Sequence, residues 1–213
     1  LRITNKTVAA IDTGSDIEFW NNPFTGSTTN SYESGAIRVR KTNGSNNNHD
    51  HYMSFETRQN SPEGINERMR IDNAGIVTKP YQPAFMAQHN GTGSSVNSAV
   101  YPFQTVHYNI GSHYNNSTYR FTAPVAGRYI FGYQLLTNAS GSRSLSYLRI
   151  NGSSAYSNSQ VYECSADSDV YNDAQINTIF NLAANDYVDV YIGTGNLYAS
   201  ASGQNKFYGS LIG

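Results

Sequence analysis

The chain has 213 residues, of which 14 are Lys or Arg and 15 are Asp or Glu, so its formal net charge is -1. Only 14% of the residues are charged, yet the mean hydropathy is -0.53, because Asn, Ser, Thr, Gly and Tyr supply the polarity. This balance excludes the basic stripe that a nucleic-acid-binding protein requires. It is typical of a protein that works outside cells or on the surface of a particle.

The single cysteine, Cys164, excludes an internal disulfide, so we expect oligomerisation to bury the extra surface that stabilises the chain. We do not expect Cys164 to act as a nucleophile. No run approaches the ~18 apolar residues of a membrane-spanning helix, and no segment has the pattern of a signal peptide. Because the chain begins with Leu1, we expect it to be a fragment of a longer protein.

Residues 1–79 contain short segments in which arginines alternate with apolar residues, the period of a half-buried strand. These segments are Leu1-Arg2-Ile3, Ile37-Arg38-Val39-Arg40 and Met69-Arg70-Ile71. Asp16–Trp20 is predicted to be another strand, and residues 52–58 and 65–72 are predicted to form a hairpin. So few large apolar residues cannot bury a core in one copy, whereas three copies around an axis can.

Residues 67–75 read Glu-Arg-Met-Arg-Ile-Asp-Asn-Ala-Gly. This segment resembles one in bacteriophage tail-fibre and tail-spike proteins, where it lies in an intertwined trimeric β stalk before a C-terminal tip or chaperone domain. The resemblance implies that residues 1–79 form the end of such a stalk. Arginines would then face solvent or a neighbouring copy's carboxylates, and apolar side chains would face the axis. The predicted axial residues are Ile37, Val39, Met69 and Ile71.

Residues 119–133 predict a strand, a turn and a second strand. Tyr119 and Phe121 are predicted to share one face, and Pro124 and Gly127 mark the turn. The second strand, residues 128–136, is apolar on both faces, which is typical of a central strand. One face carries Tyr129, Phe131, Tyr133 and Leu135, and the other carries Ile130 and Leu136.

Residues 78–83 read as a linker, because two prolines favour an extended connection. In residues 187–192 the apolar side chains Val188, Val190 and Ile192 alternate with polar ones, as in a sandwich strand with one wet side. No stretch has the apolar stripe of a helix, so the class is all-β. After the linker we predict strands near residues 101–108, 117–123, 128–137, 145–151, 176–182, 187–193 and 205–212.

The segment Phe121, Pro124, Gly127, Tyr129 and Phe131 resembles the C1q-like domain, a jelly roll related to the tumour necrosis factor fold. Further segments fit that family in order: Ala84–Ala87, Val106–Asn109, Leu148–Gly152, Leu182–Val188 and Phe207–Leu211. In one of them Asn185 replaces the family's glycine, and Asn is among the few residues that adopt the left-handed conformation. The resemblance implies that residues 80–213 form a trimerising C1q-like jelly-roll head domain.

His49 and His51 are two residues apart, so on a strand both imidazoles would lie on one face. Three such pairs in a trimer present six nitrogens, which suits an axial transition metal such as iron or nickel. Phage fibre trimers hold His-x-His sites of this kind, so that resemblance adds support. The alternative is an exposed loop, after the run of Asn residues, that binds no metal.

Asp167, Asp169 and Asp173, together with Glu163, form an oxygen-rich segment that suits Ca²⁺. The resemblance to C1q-like trimers adds weight, because some of them hold Ca²⁺ near this region. The spacing is not that of an EF-hand loop. The alternative is a solvated acidic loop.

Loops rich in Tyr, Ser, Asn and Gly are the candidate receptor-binding or glycan-binding surfaces, because aromatic faces beside short polar donors suit sugars or proteins. They span residues 138–146, 153–163, 165–173 and 195–204, and they carry Tyr156, Tyr162, Tyr171 and Tyr198. The alternative is that these loops are simply polar and rich in tyrosine.

The phosphate-binding GxxxxGK[ST], GxSxG and HExxH signatures are missing from the sequence, so we predict that the protein is not an enzyme. The alternative is a depolymerase of surface polysaccharide with an active site formed between subunits.

The two resemblances together predict a virion structural protein, a phage fibre or spike, on the tail rather than the head. Its homotrimeric C1q-like tip would recognise a glycan or protein on a bacterial or cyanobacterial host surface by multivalent binding. Its other partners would be further virion proteins, with no nucleic acid and no membrane insertion. The alternatives are a purely structural trimerisation cap or capsid-decoration fibre, and a cellular C1q-like lectin.

Overall fold

The computed structural model describes residues 10–21, 31–45, 47, 49–60, 63–91, 96–137, 143–153, 160–164, 172–194 and 203–213. The chain divides into two compact units, Leu1–Tyr81 and Gln82–Gly213. Every regular element in the described residues is a β-strand, which confirms the predicted all-β class. The second unit, residues 82–213, is called the head.

The first unit is one antiparallel sheet in which each strand pairs with the next, here called the N-terminal sheet. Its strands are β1 (Gly14–Asn21), β2 (Tyr32–Lys41), β3 (His51–Asn60), β4 (Glu63–Ile71) and β5 (Val77–Thr78). The predicted hairpin is confirmed as β3 and β4, with Asn60 opposite Glu63. Leu1-Arg2-Ile3 lies outside the described residues.

One face of the N-terminal sheet is apolar because the register places apolar residues opposite one another. Ile37 lies opposite Ile17 and Phe55, and Phe55 lies opposite Met69. Residues in register on neighbouring strands share a face. The four predicted axial residues therefore do share one face, whatever covers it. This apolar face consists of Ile17, Phe19, Ile37, Val39, Met53, Phe55, Met69 and Ile71.

Arg38 lies at the centre of the opposite, charged face. Its Nε donates to Glu56 Oε2 at 2.8 Å and its Nη1 to Asp16 Oδ2 at 2.9 Å, and it also pairs with Glu33. Burial works against the charge on Arg38, but the hydrogen bond to Glu56 and the surrounding carboxylates raise its pKa above the ordinary arginine value. Arg38 therefore remains charged and ties strands β1, β2 and β3 together.

The other arginines of this face are paired within the same chain. Arg40 pairs with Asp16, and Arg70 Nη2 lies 2.6 Å from Glu67 Oε2. The Arg70 guanidinium also lies over the Tyr52 ring, 3.8 Å from its centroid. For Arg38 and Arg40 the expectation that the arginines meet solvent or a neighbouring copy's carboxylates is corrected, because the register puts their own sheet's carboxylates beside them, whereas Arg70 does meet solvent.

The head consists of two antiparallel sheets. The β11 sheet has the strand order β14-β11-β16-β6-β8, and the β12 sheet has the order β13-β12-β15-β10-β9, with β7 paired to β15. The strands are β6 (Ala84–Gln88), β7 (Ala99–Val100), β8 (Thr105–Ile110), β9 (Tyr114–Asn115), β10 (Arg120–Thr122), β11 (Gly127–Thr137), β12 (Arg143–Ile150), β13 (Gln160–Cys164), β14 (Asn172–Leu182), β15 (Tyr187–Thr194) and β16 (Lys206–Leu211).

Aromatic rings from both sheets form the core of the head. Phe85 stacks on Phe121 with ring centroids 5.1 Å apart, and it meets Phe207 edge-on at 4.9 Å. Phe131 lies 5.4 Å from Phe121 in a T-shaped pair. Such pairs add about 0.5–1.5 kcal/mol each beyond the area they bury. All four rings are fully buried, so the head has the single core that a sandwich requires.

The predicted faces of the central strands are confirmed. In β11, Tyr129, Phe131, Tyr133 and Leu135 are at most 1% exposed, and in β15 Val188, Val190 and Ile192 are fully buried. Asn185 has φ 73°, the left-handed conformation that its replacement of glycine predicts.

Three local predictions are wrong. Tyr119 does not share a strand face with Phe121, because β10 begins at Arg120 and Tyr119 has φ 60°. The strand predicted from residue 101 begins at Thr105, after Pro102, which lacks a backbone N–H. Residues 160–163, predicted as part of the loop 153–163, belong to strand β13, which pairs with β12.

Candidate functional site

The outer face of the β11 sheet carries a continuous band of apolar side chains. Ile130 lies opposite Ile179 on β14, and Met86 on β6 lies opposite Tyr108 on β8. These residues alternate with the buried core residues of the same strands, so they point away from the core. We call this band the assembly face: Ala84, Met86, Tyr108, Ile110, Ile130, Ile179 and Tyr208.

Several members of the assembly face are widely exposed in the single chain. Ile179 is 54% exposed, Tyr108 48% and Ile110 37%. Ile179 and the pair Tyr108 and Ile110 lie on opposite edge strands, and the less exposed members of the face extend between them. A contiguous apolar surface of this kind marks an interaction surface, whereas scattered apolar residues do not. The outer face of the β11 sheet therefore has the character of a protein contact.

Gly132 lets Tyr208 lie flat within this face. A Cβ at Gly132 would stand about 2.5 Å from the Tyr208 ring and hydroxyl, so only glycine leaves room for the ring. The Tyr208 hydroxyl crosses Gly132 and donates to Asn177 Oδ1 at 2.7 Å. The ring thereby presents an apolar surface while its polar atom is satisfied inside the sheet.

The histidine pair is only partly arranged as predicted. Strand β3 begins at His51, so His49 precedes the strand and the two residues do not lie on it together. His51 Nδ1 lies 2.8 Å from the His49 backbone oxygen. His51 is on the same side of β3 as Met53 and Phe55, by alternation along the strand. A metal held by His49 and His51 remains a prediction.

Of the three aspartates predicted to bind Ca²⁺, the structure describes only one. Asp167 and Asp169 lie outside the described residues. Asp173 belongs to strand β14 and not to a loop, and its Oδ2 accepts weak hydrogen bonds from Gln134 and Gln175 at 3.4 Å. Among the described residues no group of three or more His, Cys, Asp or Glu is placed to hold a metal ion.

The tyrosine loops fall mostly outside the described residues, including Tyr156, Tyr171 and Tyr198. The backbone of Tyr162 lies in strand β13, opposite Leu145, so its predicted loop position is corrected. In the part of the chain that the structure describes, no helix is long and apolar enough to cross a membrane.

The sandwich and its order of strands agree with a known family. The family model of the C1q domain matches residues 84–212. The chain belongs to the C1q domain family. Mouse and human complement C1q tumor necrosis factor-related protein 3 are each 31% identical to this C1q-domain chain, over 136 and 131 residues. These matches cover 64% and 62% of the chain and 53% and 51% of the relatives, so it spans about half the length of the curated relatives it matches.

Among solved structures, the globular domain of the zebrafish complement 1qA protein has a TM-score of 0.51 with this C1q-domain chain. It is 20% identical and covers 62% of this chain and 98% of its own, which shows a shared fold. The predicted C1q/TNF-like jelly roll is thus confirmed for the head. The named relatives are animal proteins, and the comparisons do not support the predicted phage origin.

The assembly face could have been inferred in part from the sequence. Ile130 and Leu136 already mark β11 as apolar on the side away from the aromatic residues. That signal suggests only a central strand. The pairing of β11 with β14 shows that Ile179 extends the same band on one side. The pairing of β11 with β16, and of β16 with β6, shows that Met86 extends it on the other side.

Proposed function

We propose that this C1q-domain protein is a homotrimer whose head is an extracellular binding module. The assembly face carries this proposal, because its exposed isoleucines and Tyr108 need a partner that the single chain does not provide. Domains of this family often form trimers, which makes two further copies of the chain the natural occupants.

The apolar face of the N-terminal sheet supports the same assembly. In this unit only Ala36 and Ser54 are buried among the described residues, whereas Phe19 is 55% exposed and Ile17 40%. A single layer with one apolar face buries too little surface to be stable alone. Copies of this sheet packed around an axis would cover that face and form the stalk.

Three equivalent heads would bind a surface by avidity, because after the first contact the others form at a high effective concentration. We propose that the head acts by this binding and not by catalysis. The finer context, a phage tail fibre that contacts a bacterial host, rests on the resemblance of residues 67–75. Those residues run from the end of β4 into a turn in which Asp72 Oδ1 accepts from the Ala74 and Ile76 backbone N–H groups.

The proposal is tested by measuring binding of the labelled full chain to a panel of bacterial and animal cells. Ile179→Asp together with Ile37→Asp places a charge in each of the two apolar faces and should give a monomer whose head is folded, because the head has a core of its own. We expect this variant to bind cells about 100-fold more weakly than the trimer, since avidity is lost. Val125→Asp is the control, because Val125 is 49% exposed and belongs to the connection between β10 and β11, not to the assembly face.

Equal binding by the monomeric double variant would contradict multivalent recognition. A trimer that binds no cell in the panel would favour the second candidate, a structural cap or decoration fibre that recognises nothing. The two open apolar faces support a trimeric structural cap as strongly as they support a trimeric binding module, so cell binding is the measurement that separates the two candidates. Release of sugar from a host glycan would instead indicate an enzyme.

A further inference from the structure

The outer face of the β12 sheet, on the other side of the head from the assembly face, carries a compact group of arginine and tyrosine side chains. Arg149 on β12 lies opposite Asp189 on β15, and Tyr147 lies opposite Tyr191. Arg120 on the neighbouring strand β10 reaches the same carboxylate. We call these residues the Arg–Tyr cluster: Arg120, Tyr147, Arg149, Tyr187, Asp189 and Tyr191.

Asp189 is fully buried and holds both arginines. Arg149 donates to it from Nε at 2.8 Å and from Nη2 at 3.0 Å, and Arg120 donates from Nε at 3.2 Å. Two guanidinium groups thus share one carboxylate, so the three side chains carry one net positive charge. Arginines paired in this way are fixed in direction before any ligand arrives.

A tyrosine ring packs against the guanidinium group of each of these two arginines. The Arg120 carbon Cζ lies 4.2 Å from the Tyr187 ring centroid, and that of Arg149 lies 3.9 Å from the Tyr191 centroid. A guanidinium that lies over a ring still presents its N–H edge, because its donors lie in its own plane. The stacking therefore orients the donors without using them.

Arg120 is the member that can meet a ligand. Its side chain is 36% exposed, whereas that of Arg149 is 13% exposed. Towards the described residues Arg120 donates only through Nε, which leaves its two terminal nitrogens directed at solvent or at a ligand. Two adjacent N–H groups in one plane match the two oxygens of a carboxylate.

Hydroxyl groups and aromatic rings surround Arg120 on this face of the sheet. Thr122 lies opposite Tyr187 and is exposed. Tyr147 and Tyr191 lie side by side with ring centroids 6.3 Å apart, and Gly193 leaves room for the Tyr147 ring, which would stand 2.7 Å from a Cβ there. Ring faces and hydroxyl groups together suit a sugar ring, which offers C–H faces and hydroxyl groups of its own.

We propose that the Arg–Tyr cluster binds a saccharide that carries a carboxylate, with Arg120 pairing the carboxylate and the tyrosines contacting the ring. The ring faces and hydroxyl groups around the guanidinium edge fit a carboxylate carried by a sugar ring better than one carried by a flexible peptide side chain, because the sugar ring gives the tyrosines a surface to contact. This inference rests on the proposed binding function of the head and names its ligand class. Because the assembly face is on the other sheet, all three clusters remain accessible in the trimer.

The test uses the 213-residue chain and immobilised polygalacturonate, and binding is measured by biolayer interferometry. We expect binding to polygalacturonate, weaker binding to dextran sulfate and polyglutamate, and none to uncharged dextran. Arg120→Gln should lower the affinity about tenfold or more, the value of a charge-assisted hydrogen bond. Arg149 keeps Asp189 paired in that variant, so the fold is retained, as the mass and the thermal unfolding temperature would verify. Lys79→Gln removes the same charge from outside the head and should bind like the unchanged protein.

Unchanged affinity in Arg120→Gln, or equal binding to dextran, would overturn the proposed site. Tighter binding to dextran sulfate would overturn the assignment to a carboxylate, and tighter binding to polyglutamate would overturn the assignment to a sugar. Cell binding separates this inference from the proposed function. If Arg120→Gln binds cells as well as the unchanged protein does, only the site is wrong, whereas a trimer that binds no cell overturns the function itself.

Discussion

The two units of this chain are both built only from β-strands in their described parts, yet they bury their side chains in opposite ways. The head closes two sheets over fully buried rings such as Phe85, Phe131 and Phe207. The N-terminal sheet has one layer, in which a charged face is satisfied by its own ion pairs and an apolar face is left open. The comparison shows that the same strand period gives a self-contained domain in one unit and a surface that needs a partner in the other.

The two units can be followed by different spectroscopic signals, because the one tryptophan of the chain, Trp20, lies in the N-terminal sheet. Its fluorescence reports on that unit, whereas near-ultraviolet circular dichroism is dominated by the tyrosines and phenylalanines of the head. The stability of each unit can therefore be followed separately in the full chain.

The largest effect is expected from Phe131→Ala in the head. Phe131 is fully buried and contacts the rings of Phe121 and Phe207, so its loss leaves a cavity. The free energy of unfolding of the head should fall by about 3–5 kcal/mol. Urea unfolding followed by circular dichroism measures this change, and the Trp20 signal should move much less. Val125→Ala, at a 49% exposed site of the head outside the assembly face, is the control. A shift of both signals by the same amount would show that the two units unfold together.

Alkaline pH should weaken the head by a smaller amount. Burial raises the pKa of Tyr101 to about 12, although the hydrogen bond from Asn205 opposes this, and burial also raises the pKa of Tyr114. Because the folded pKa of Tyr101 lies above the unfolded value of about 10, its contribution is complete below pH 10 and is lost as the pH rises through 12.

For Tyr101 alone this loss amounts to about 3 kcal/mol, because each pKa unit corresponds to about 1.4 kcal/mol. Absorbance at 295 nm and circular dichroism, recorded from pH 9 to pH 12.5, measure ionisation and unfolding together. Tyr101→Phe should retain more of its stability at pH 12 than the unchanged protein, relative to pH 8. Ionisation of all tyrosines near pH 10 without unfolding would show that these side chains are not buried.

The smallest effect is expected from Arg38→Gln in the N-terminal sheet. The change removes the cation between Asp16, Glu33 and Glu56, whose side chains are partly exposed to water. We expect a loss of about 1–2 kcal/mol, seen as an earlier Trp20 transition, with the head unchanged. High salt should reduce the difference between the variant and the unchanged protein. An unchanged Trp20 transition would indicate that the charged face contributes little to the stability of this sheet.

Local sequence patterns predicted the head well because alternation decides which side of a strand is buried. Phe131 and Val188 point inward as their neighbours indicate, and Asn185 adopts the left-handed turn conformation. Strand β13 was missed because residues 160–164 form a short segment between stretches rich in Ser, Asn and Asp, so that pairing with β12 is what identifies it as a strand.

The sites were harder to predict than the fold, because they depend on contacts between distant strands. Asp189 alternates with apolar residues as a solvent-facing residue does, yet Arg120 and Arg149, 69 and 40 residues away, bury it completely. The ion-pair partners of Arg38 likewise follow from the register of β1, β2 and β3. No short motif in the sequence encodes that register.

The central claim is that both open apolar faces are covered by copies of the same chain. Light scattering of the purified full chain during gel filtration, at micromolar concentration, tests it most directly. The account predicts a mass of three times 23.4 kDa. A stable mass of 23.4 kDa would contradict it and would leave the N-terminal sheet without the partner that its apolar face requires.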